Sequence, residues 1–443
     1  MILDISRLTI QIRSSTVSAR RRAERNVSPR VEGVVLYREA RDITTLRMLY
    51  LALWSPDRSP SQRYRVEPFL DFWKEHGLET IYEWVLGVGD MRAFYGRTLP
   101  AKAGVALKAA LRRGTGLARS LAHPPPPDVV FIQRQAFFLG GPWTEWLASR
   151  RSPLVFDFDD AIWMPEISRG NRRLASLKNV EKIPSILRMA NTVIAGNAYL
   201  ADWARVHNPN VVIVPTCVDT DRYVPRTTNR APDAPIVIGW SGSPSTIVHF
   251  ELALPTLARI KQKYGDRVRF KVVGDPEFRD ERLGIQGEAW RSDSEVSALQ
   301  AMDIGIMPLP NDEWSKGKCG LKALTYMATG LPTLSSPVGV NTEIVRDGIN
   351  GFLAEGEDAW VERIGELIED PTLRRRLGTA GRNSVVERYS VQRWREPLFE
   401  IIRRTATGQD PAGGSRTGSP PMPLSASVNV STALEGVVAP YRP

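Results

Sequence analysis

The stretch that decides the fold is residues 303–339, DIGIMPLPNDEWSKGKCGLKALTYMATGLPTLSSPVG. A short apolar run ends at Leu309, a polar loop follows, and apolar residues recur at helical spacing from Leu321 to Met327. The Gly-Leu-Pro of 330–332 ends this pattern, and a second apolar run follows it. The order strand, loop, helix, strand predicts one βαβ unit of a parallel sheet.

Similar apolar runs occur along most of the chain. They are LRMLYLALW (46–54), DVVFIQ (128–133), PLVFDF (153–158), NTVIAG (191–196), NVVIVP (210–215), IVIGW (236–240) and VRFKVVG (268–274). Continuous apolar strands that alternate with helices are typical of parallel sheets covered on both faces. The Pro-containing stretch 225–235 divides them into two groups. The predicted fold class is therefore α/β, with two doubly wound, Rossmann-like domains facing across a cleft.

Four parts of the chain follow from this pattern. We expect a basic, poorly ordered N-terminal extension at 1–45, an N-terminal domain at 46–230 and a C-terminal domain at 231–405. Residues 406–443 are rich in Gly, Pro and Ser and bury too little apolar surface to offset the entropy of ordering, so we expect a disordered tail.

Composition excludes several classes of protein. The 443 residues contain no apolar stretch of the length that a membrane span needs, only two cysteines, and four histidines without ligand spacing. A transmembrane protein, a disulfide scaffold and a zinc site are thereby excluded, and a cytoplasmic location is expected.

The net charge of +10 is partly concentrated in a basic stretch at 92–119 that contains no acidic residue. Such a patch attracts anionic lipid or phosphate, and no nucleic-acid-binding motif accompanies it. We therefore expect peripheral contact with an anionic membrane, at the inner face of the cell membrane, and no nucleic-acid partner. A solvated amphipathic helix explains the same residues.

Two loops could bind phosphate. Lys316, Lys318 and Lys322 surround the predicted start of a helix, where cations oppose the helix dipole unless an anion such as a diphosphate is bound together with the Gly320 backbone. A solvated basic loop is the alternative. The second loop, GWSGSPST (239–246), follows the first strand of the second group. Its small residues could approach a phosphate, or could form a turn that caps the next helix.

Charged residues also follow strands of the first group. Asp157, Asp159 and Asp160 could cap a helix, bind a cation, or accept hydrogen bonds from substrate hydroxyls and act as a base. The loop SQRYR (61–65) carries arginines that suit phosphate or carboxylate recognition, or a solvated face.

Residues 303–353 resemble family-4 glycosyltransferases of the GT-B fold, in the bacterial branch with the GKCGxK variant of the donor loop. Supporting segments are SQRYR (61–65), FDFDDAIW (156–163), VIAGNAYLADWA (193–204), VPTCVDTDRY (214–223) and IGWSGSPST (238–246). The resemblance covers about residues 46–405.

This resemblance implies an enzyme that transfers a sugar from a nucleotide-sugar donor, UDP- or GDP-linked, to an acceptor hydroxyl. The acceptor would be a polysaccharide, a glycolipid or another glycan of the cell envelope. The reaction would retain configuration and need neither a metal nor another cofactor. The family's two glutamates fall on Gly317 and Thr325, and its arginine and lysine fall on Ser243 and Val248, so we infer that the lysines near Gly320 replace the missing positive charge.

The residues assigned to each role follow from the loops and the resemblance together. The catalytic residues are Asp157, Asp159 and Asp160; the diphosphate-binding residues are Lys316, Lys318, Lys322, Gly242, Ser243 and Gly320; the nucleotide- or sugar-binding residues are Trp290, Pro308, Thr325 and Glu343; and the acceptor- or phosphate-binding residues are Arg63, Arg65 and Arg134. Two alternatives stay open: a sugar-nucleotide epimerase of the same architecture, and a degenerate, non-catalytic nucleotide-sugar-binding protein.

Overall fold

The computed structural model describes residues 45–90, 99–122, 125–164, 179–227, 231 and 233–409. The predicted N-terminal extension up to residue 44 and the predicted tail from residue 410 lie outside the described residues. Residues 406 and 407, which were assigned to the tail, instead end the last helix.

The first sheet has six parallel strands in the order β2-β1-β3-β4-β5-β6. They are β1 Leu46–Trp54, β2 Leu78–Leu86, β3 Val129–Gln133, β4 Leu154–Phe158, β5 Thr192–Ala195 and β6 Val211–Ile213. Along β1, Leu49 and Leu51 point into one core, and Met48 and Tyr50 point into the other. Both faces of the sheet are therefore covered, as the continuous apolar strands predicted.

The second sheet has five parallel strands in the order β13-β12-β11-β7-β8. They are β7 Ile236–Ser241, β8 Val268–Val273, β11 Ile304–Met307, β12 Thr333–Ser335 and β13 Phe352–Leu353. A short antiparallel pair, β9 Arg279–Asp280 and β10 Ile285–Gln286, lies between β8 and β11 in the sequence.

Helices connect these strands. Those that follow strands of the first sheet are α1 Pro60–Arg65, α2 Leu70–Glu75, α3 Leu99–Ala122, α4 Trp143–Ser149, α5 Lys182–Met189 and α6 Ala198–Arg205. The others are α7 Ile247–Glu251, α8 Leu254–Tyr264, α9 Glu295–Gln300, α10 Glu313–Lys316, α11 Leu321–Ala328, α12 Asn341–Ile344, α13 Glu357–Glu369, α14 Pro371–Arg388 and α15 Val391–Thr407. None of the helices in the described ranges combines the length and apolar character that a membrane span requires.

The last helix packs on the first sheet. Val391, Leu398 and Ile402 of α15 share a core with Met48 and Tyr50 of β1. The predicted boundary at 405 had placed this helix with the second group of strands, so that boundary is wrong. We call the first sheet with its helices, including α15, the first lobe, and the second sheet with its helices the second lobe.

Candidate active site between the two lobes

Arg134 and two aspartates meet at the carboxyl ends of β3 and β4. The Arg134 backbone has a φ of 62°, which is unfavourable for a residue other than glycine, and its N–H donates to the Asp157 carbonyl oxygen at 2.6 Å. This turn directs the guanidinium to Asp159 Oδ1 at 2.7 Å and to Asp160 Oδ2 at 2.5 Å. One arginine therefore holds both carboxylates in a fixed orientation.

Lys318 brings a cation from the second lobe to the same point. Its Nζ lies 2.9 Å from Asp160 Oδ1 and 4.6 Å from the centre of the Trp314 ring. Burial raises the pKa of Asp160, but Lys318 and Arg134 outweigh that effect and lower it below the usual value. Asp160 is therefore a carboxylate at neutral pH, held between one cation from each lobe.

Lys322 and His249 lie close to this ion pair. Lys322 is in the first turn of α11, 5.4 Å from the Trp240 ring centre, and in the described part of the chain no carboxylate forms a salt bridge with it. Burial, followed by the charge of Lys318, lowers the pKa of Lys322 to about 8. His249 on α7 has a buried Nδ1 without a hydrogen-bond partner, and burial together with Lys322 and Lys318 lowers its pKa to about 4. A bound anion would neutralise the charge of Lys322 and could pair with His249.

His249 was not among the predicted site residues. It stands six residues after Ser243, on the helix that follows the second predicted phosphate loop. A single histidine in an apolar helix has no distinguishing pattern, so only its position behind that loop could have indicated it.

Lys316 does not join the other two lysines. Its Nζ donates to Glu313 Oε1 at 2.6 Å, and its side chain is 39% exposed. The other oxygen of Glu313 accepts from the Tyr199 hydroxyl at 2.8 Å. The predicted group of three lysines is therefore reduced to Lys318 and Lys322.

Asp157 and Arg65 form a buried pair below the site. The Arg65 Nε donates to both carboxylate oxygens at 2.8 and 3.0 Å, and each side chain is only 2% exposed. A further guanidinium N–H donates to the Val214 carbonyl oxygen at 3.0 Å. Burial raises the pKa of Asp157, and Arg65 offsets part of that rise. The pair joins the end of α1 to β4 and to the segment after β6, and it is buried away from a substrate.

Arg63 links the two lobes instead of facing a ligand. Its guanidinium donates to Glu295 Oε2 at 2.5 Å and to Asp57 Oδ1 at 2.9 Å, and it lies 4.6 Å from the Trp290 ring centre. The hydroxyl of Tyr64 donates to the same glutamate at 3.1 Å. Arg63 therefore occupies the Trp290 surface that was predicted to contact a nucleotide base.

The Gly242 loop forms a turn ahead of α7, but in the described residues its side chains make no capping hydrogen bond to that helix. The N–H of Ser243 donates to Thr246 Oγ1 at 3.0 Å, and that of Gly242 donates to the Val273 carbonyl oxygen at 2.9 Å. Gly320, at the start of α11, has a φ of 70°, and a Cβ there would lie 2.2 Å from Ile344 Cδ1. Glycine is therefore needed at 320 for α11 to begin beside Lys318.

The remaining predicted residues lie apart from the ion pair. The Thr325 hydroxyl donates to the Lys322 carbonyl oxygen at 2.9 Å inside α11. Pro308 lines a cavity of about 300 Å³ together with Ser336 and Trp360, but neither lysine of the site lines it. Glu343 is exposed on α12. Among the described residues, no group of three or more His, Cys, Asp and Glu side chains is placed to hold a metal ion.

Comparison with solved structures identifies the architecture. Sucrose-phosphate synthase from Thermosynechococcus elongatus superposes with a TM-score of 0.59 at 13% identity, over 82% of this chain and 100% of that one. HepE from Anabaena, solved with UDP and glucose, superposes with a TM-score of 0.53 at 17% identity, over 81% and 99% of the two chains. The protein has the GT-B fold.

The match to a family model lies in the second lobe. Residues 235–370 match the family model described as "Glycosyl transferases group 1". The D-inositol 3-phosphate glycosyltransferase of Corynebacterium urealyticum is 27% identical over 229 residues, 45% of this chain and 53% of that one. The protein of the same name from Geodermatophilus obscurus is 27% identical over 265 residues, 53% and 57% of the two chains. The chain thus spans little more than half the length of these curated relatives.

In this GT-B protein the ion pair of Asp160 and Lys318 lies where the two lobes meet. Asp160 follows β4 of the first sheet, and Lys318 lies between α10 and α11, in the connection that leads from β11 to β12 of the second. Ligands of open parallel sheets bind outside the carboxyl ends of the strands. Both residues are at such ends, and this seam is therefore the candidate active site.

Proposed function

We propose that this protein is a family-4 glycosyltransferase that moves a sugar from UDP- or GDP-sugar to an acceptor hydroxyl, with retention and without a metal ion. The observation that carries the proposal is the half-buried ammonium group of Lys322 close to Lys318, which pairs with Asp160 across the seam between the lobes. No carboxylate of the described residues forms a salt bridge with Lys322. The presence of UDP and glucose in the HepE structure supports the nucleotide class.

The donor diphosphate would bind at the start of α11. There, Lys318, Lys322 and the backbone N–H groups after Gly320 can converge on phosphate oxygens. Cleavage of the glycosyl–phosphate bond leaves negative charge on the departing diphosphate. Cations that are already positioned in a water-poor site stabilise that charge without reorganisation, often the largest contribution to catalysis.

Asp160 would act on the other side of the broken bond. Its carboxylate is ionised and held by Arg134, so it can stabilise positive character at the sugar carbon or accept the proton of the acceptor hydroxyl. Asp159, held by the same arginine, lies beside it and can orient an acceptor hydroxyl. The acceptor would be a glycan or lipid-linked glycan of the cell envelope.

Nucleotide binding tests the proposal directly. Isothermal titration of UDP and GDP should show binding to the wild-type protein, with at least a tenfold loss of affinity in Lys322→Met and Lys318→Met, because each removes a charge-assisted contact. Lys316→Met is the matched control, since Lys316 is 39% exposed and pairs with Glu313. We expect it to bind within about twofold of wild type. The absence of UDP and GDP binding, or an equal loss in all three variants, would contradict the assignment of the donor site.

Turnover separates the enzyme from a binding protein. Gly317 and Thr325 stand at the positions where the family has glutamates, and the Thr325 hydroxyl already donates a hydrogen bond inside α11. The second candidate is therefore a non-catalytic nucleotide-sugar-binding protein. Incubation with UDP- and GDP-sugars and an acceptor panel should release nucleotide. Asp160→Asn should reduce that release at least about 100-fold while UDP binding changes little. Nucleotide affinity without any turnover would favour the second candidate.

We also propose that α3 contacts an anionic membrane surface. Leu107 and Leu111 are 64% and 62% exposed on one face of this helix, and Lys108, Arg112 and Arg119 lie on the adjoining face. Each cation near an anionic leaflet contributes about 1 kcal/mol, although Asp90 already pairs with Lys108 and Arg112. Charge of this sign favours anionic lipid over zwitterionic lipid.

Vesicle flotation tests this contact. The wild-type protein should float with phosphatidylglycerol vesicles and not with phosphatidylcholine vesicles, and the double variant Leu107→Ser, Leu111→Ser should not float. Val206→Ser, at a residue that is 78% exposed elsewhere on the first lobe, is the control and should behave as wild type. Wild-type protein that fails to float, or a double variant that floats normally, would refute the contact. Sedimentation showing a dimer that the double variant loses would assign the face to a second copy instead.

A further inference from the structure

The donor loop, which we define as residues 316–320, packs closely on the first lobe. A Cβ on Gly317 would lie 2.8 Å from the Cβ of Ala161, and a Cβ on Gly196 would lie 2.4 Å from Cys319 Sγ. Real side chains do not approach so closely in a packed interior. The two glycines, one in each lobe, therefore allow this part of the second lobe to reach the strand ends of the first.

Asn197 makes the polar contact across this junction. It is 4% exposed and is the N-cap of α6, where its Oδ1 accepts from the Leu200 N–H at 2.9 Å. Its Nδ2 donates to the carbonyl oxygens of Lys318 at 3.1 Å and Gly317 at 3.3 Å. One buried amide thus uses its oxygen within the first lobe and its nitrogen on the donor loop of the second.

The two carbonyl groups belong to the peptide units on either side of the Lys318 Cα. Because both are held, the direction in which the Lys318 side chain leaves the backbone is restricted. The Nζ of that side chain then donates to Asp160 of the first lobe at 2.9 Å. Backbone and ammonium group of Lys318 are therefore both fixed by the first lobe, although the residue belongs to the second.

We propose that Asn197 is the positioning residue for Lys318: it fastens the donor loop to the first lobe so that the ammonium group faces both Asp160 and a donor diphosphate. The role of the diphosphate in this statement rests on the proposed function; the fastening of the loop does not. The segment VIAGNAYLADWA (193–204) contributed to the family resemblance without a role for any of its residues, and this contact supplies one for Asn197.

Two serine variants distinguish the loss of this contact from a general loss of stability. Serine at 197 keeps an N-cap oxygen for α6, but it is too short to reach the donor loop. Asn208 is the matched control, because it is 5% exposed and its Nδ2 donates to the carbonyl oxygens of Leu187 at 2.6 Å and Ala190 at 2.7 Å, both in the first lobe. Asn197→Ser and Asn208→Ser each lose two amide–carbonyl hydrogen bonds, but only the first change touches the donor loop.

Hydrogen exchange without ligand and UDP titration are the two measurements, made on the full chain. We expect Asn197→Ser to speed exchange in the peptide spanning 313–322 at least about fivefold and to weaken UDP binding about tenfold, which is the effect of losing one or two hydrogen bonds. Asn208→Ser should change neither quantity, even where both variants melt at a lower temperature than wild type.

The outcomes distinguish this inference from the proposed function. If the donor loop of Asn197→Ser exchanges hydrogen at the wild-type rate, the positioning role is overturned, whatever the protein binds. Faster exchange with unchanged UDP affinity overturns the link to the diphosphate and leaves only the fastening of the loop. If the wild-type protein does not bind UDP or GDP, the proposed donor site fails, and exchange in the ligand-free protein still decides whether Asn197 holds the loop.

Discussion

The half-buried ammonium group of Lys322 should make UDP binding depend on pH. Burial, and then the charge of Lys318, lowers its pKa to about 8, and a bound diphosphate favours the protonated form. UDP affinity should therefore fall as pH rises from about 7 to about 9.5, measured by titration calorimetry. In Lys322→Arg the cation keeps its charge over this range, so this fall should disappear.

The same group affects the stability of the free protein with the opposite sign. Its pKa in the folded chain lies below its value in the unfolded chain, so the unfolded state binds more protons between about pH 8 and about pH 10.5, and Lys322 contributes increasing stability across that range. Below about pH 8 both states are protonated and the cost of burying the charge is fully present. Urea unfolding of wild type and Lys322→Met at several pH values measures this contribution. An equal change of unfolding free energy with pH in the two proteins would contradict it.

The sequence predicted the positions of the charged loops better than it predicted which of their side chains form pairs. Arg134, Asp160, Lys318 and Lys322 were all assigned to the site, and the structure brings them together. Arg63 was assigned with them, but its partner Glu295 is 232 residues away in the chain, and no local pattern specifies such a pair. The partner of a side chain depends on the packing of distant segments, which the local sequence does not record.

At the scale of elements, the start of α11 depends on Gly320. Its φ of 70° resembles the 69° of Gly348, but a Cβ on Gly320 would meet the fully buried Ile344, whereas nothing lies within 4 Å of a Cβ on Gly348. Alanine at either position costs about 1–2 kcal/mol of unfolding free energy for the left-handed backbone. In urea unfolding, Gly320→Ala should lower the unfolding free energy more than Gly348→Ala does. Of the two variants, only Gly320→Ala should weaken UDP binding. Equal losses and equal UDP affinity would contradict this role of Gly320.

Most of the strands that sequence revealed are buried on both faces, as β1, β3 and β4 are. β2 (Leu78–Leu86) was not predicted, because it is an edge strand in which Glu79 and Glu83 interrupt the apolar residues. The helix α15 was predicted to be ordered but was assigned to the wrong lobe, since an amphipathic pattern shows that a helix has an apolar face and not which sheet covers it.

At the scale of the whole molecule, the buried pair of Arg63 and Glu295 should hold the two lobes together. Their side chains are 5% and 10% exposed. Removal of one partner leaves a buried charge, so Arg63→Met should cost about 3–5 kcal/mol of unfolding free energy. The exposed pair of Arg259 and Glu357 is the control, and Arg259→Met should lower the unfolding free energy far less than Arg63→Met. Urea unfolding measures both, and similar costs would refute the role of Arg63.

The chain crosses between the lobes twice, once after β6 and once before α15, and the two crossings are bonded to each other. The N–H of Val218 donates to the Tyr389 carbonyl oxygen at 2.8 Å, and that of Val391 donates to the Val218 carbonyl oxygen at 3.0 Å. Because these hydrogen bonds fix the two tethers side by side, neither can move without the other, and both hold the lobes at the same place. A single proteolytic nick in either tether would leave them joined by the other.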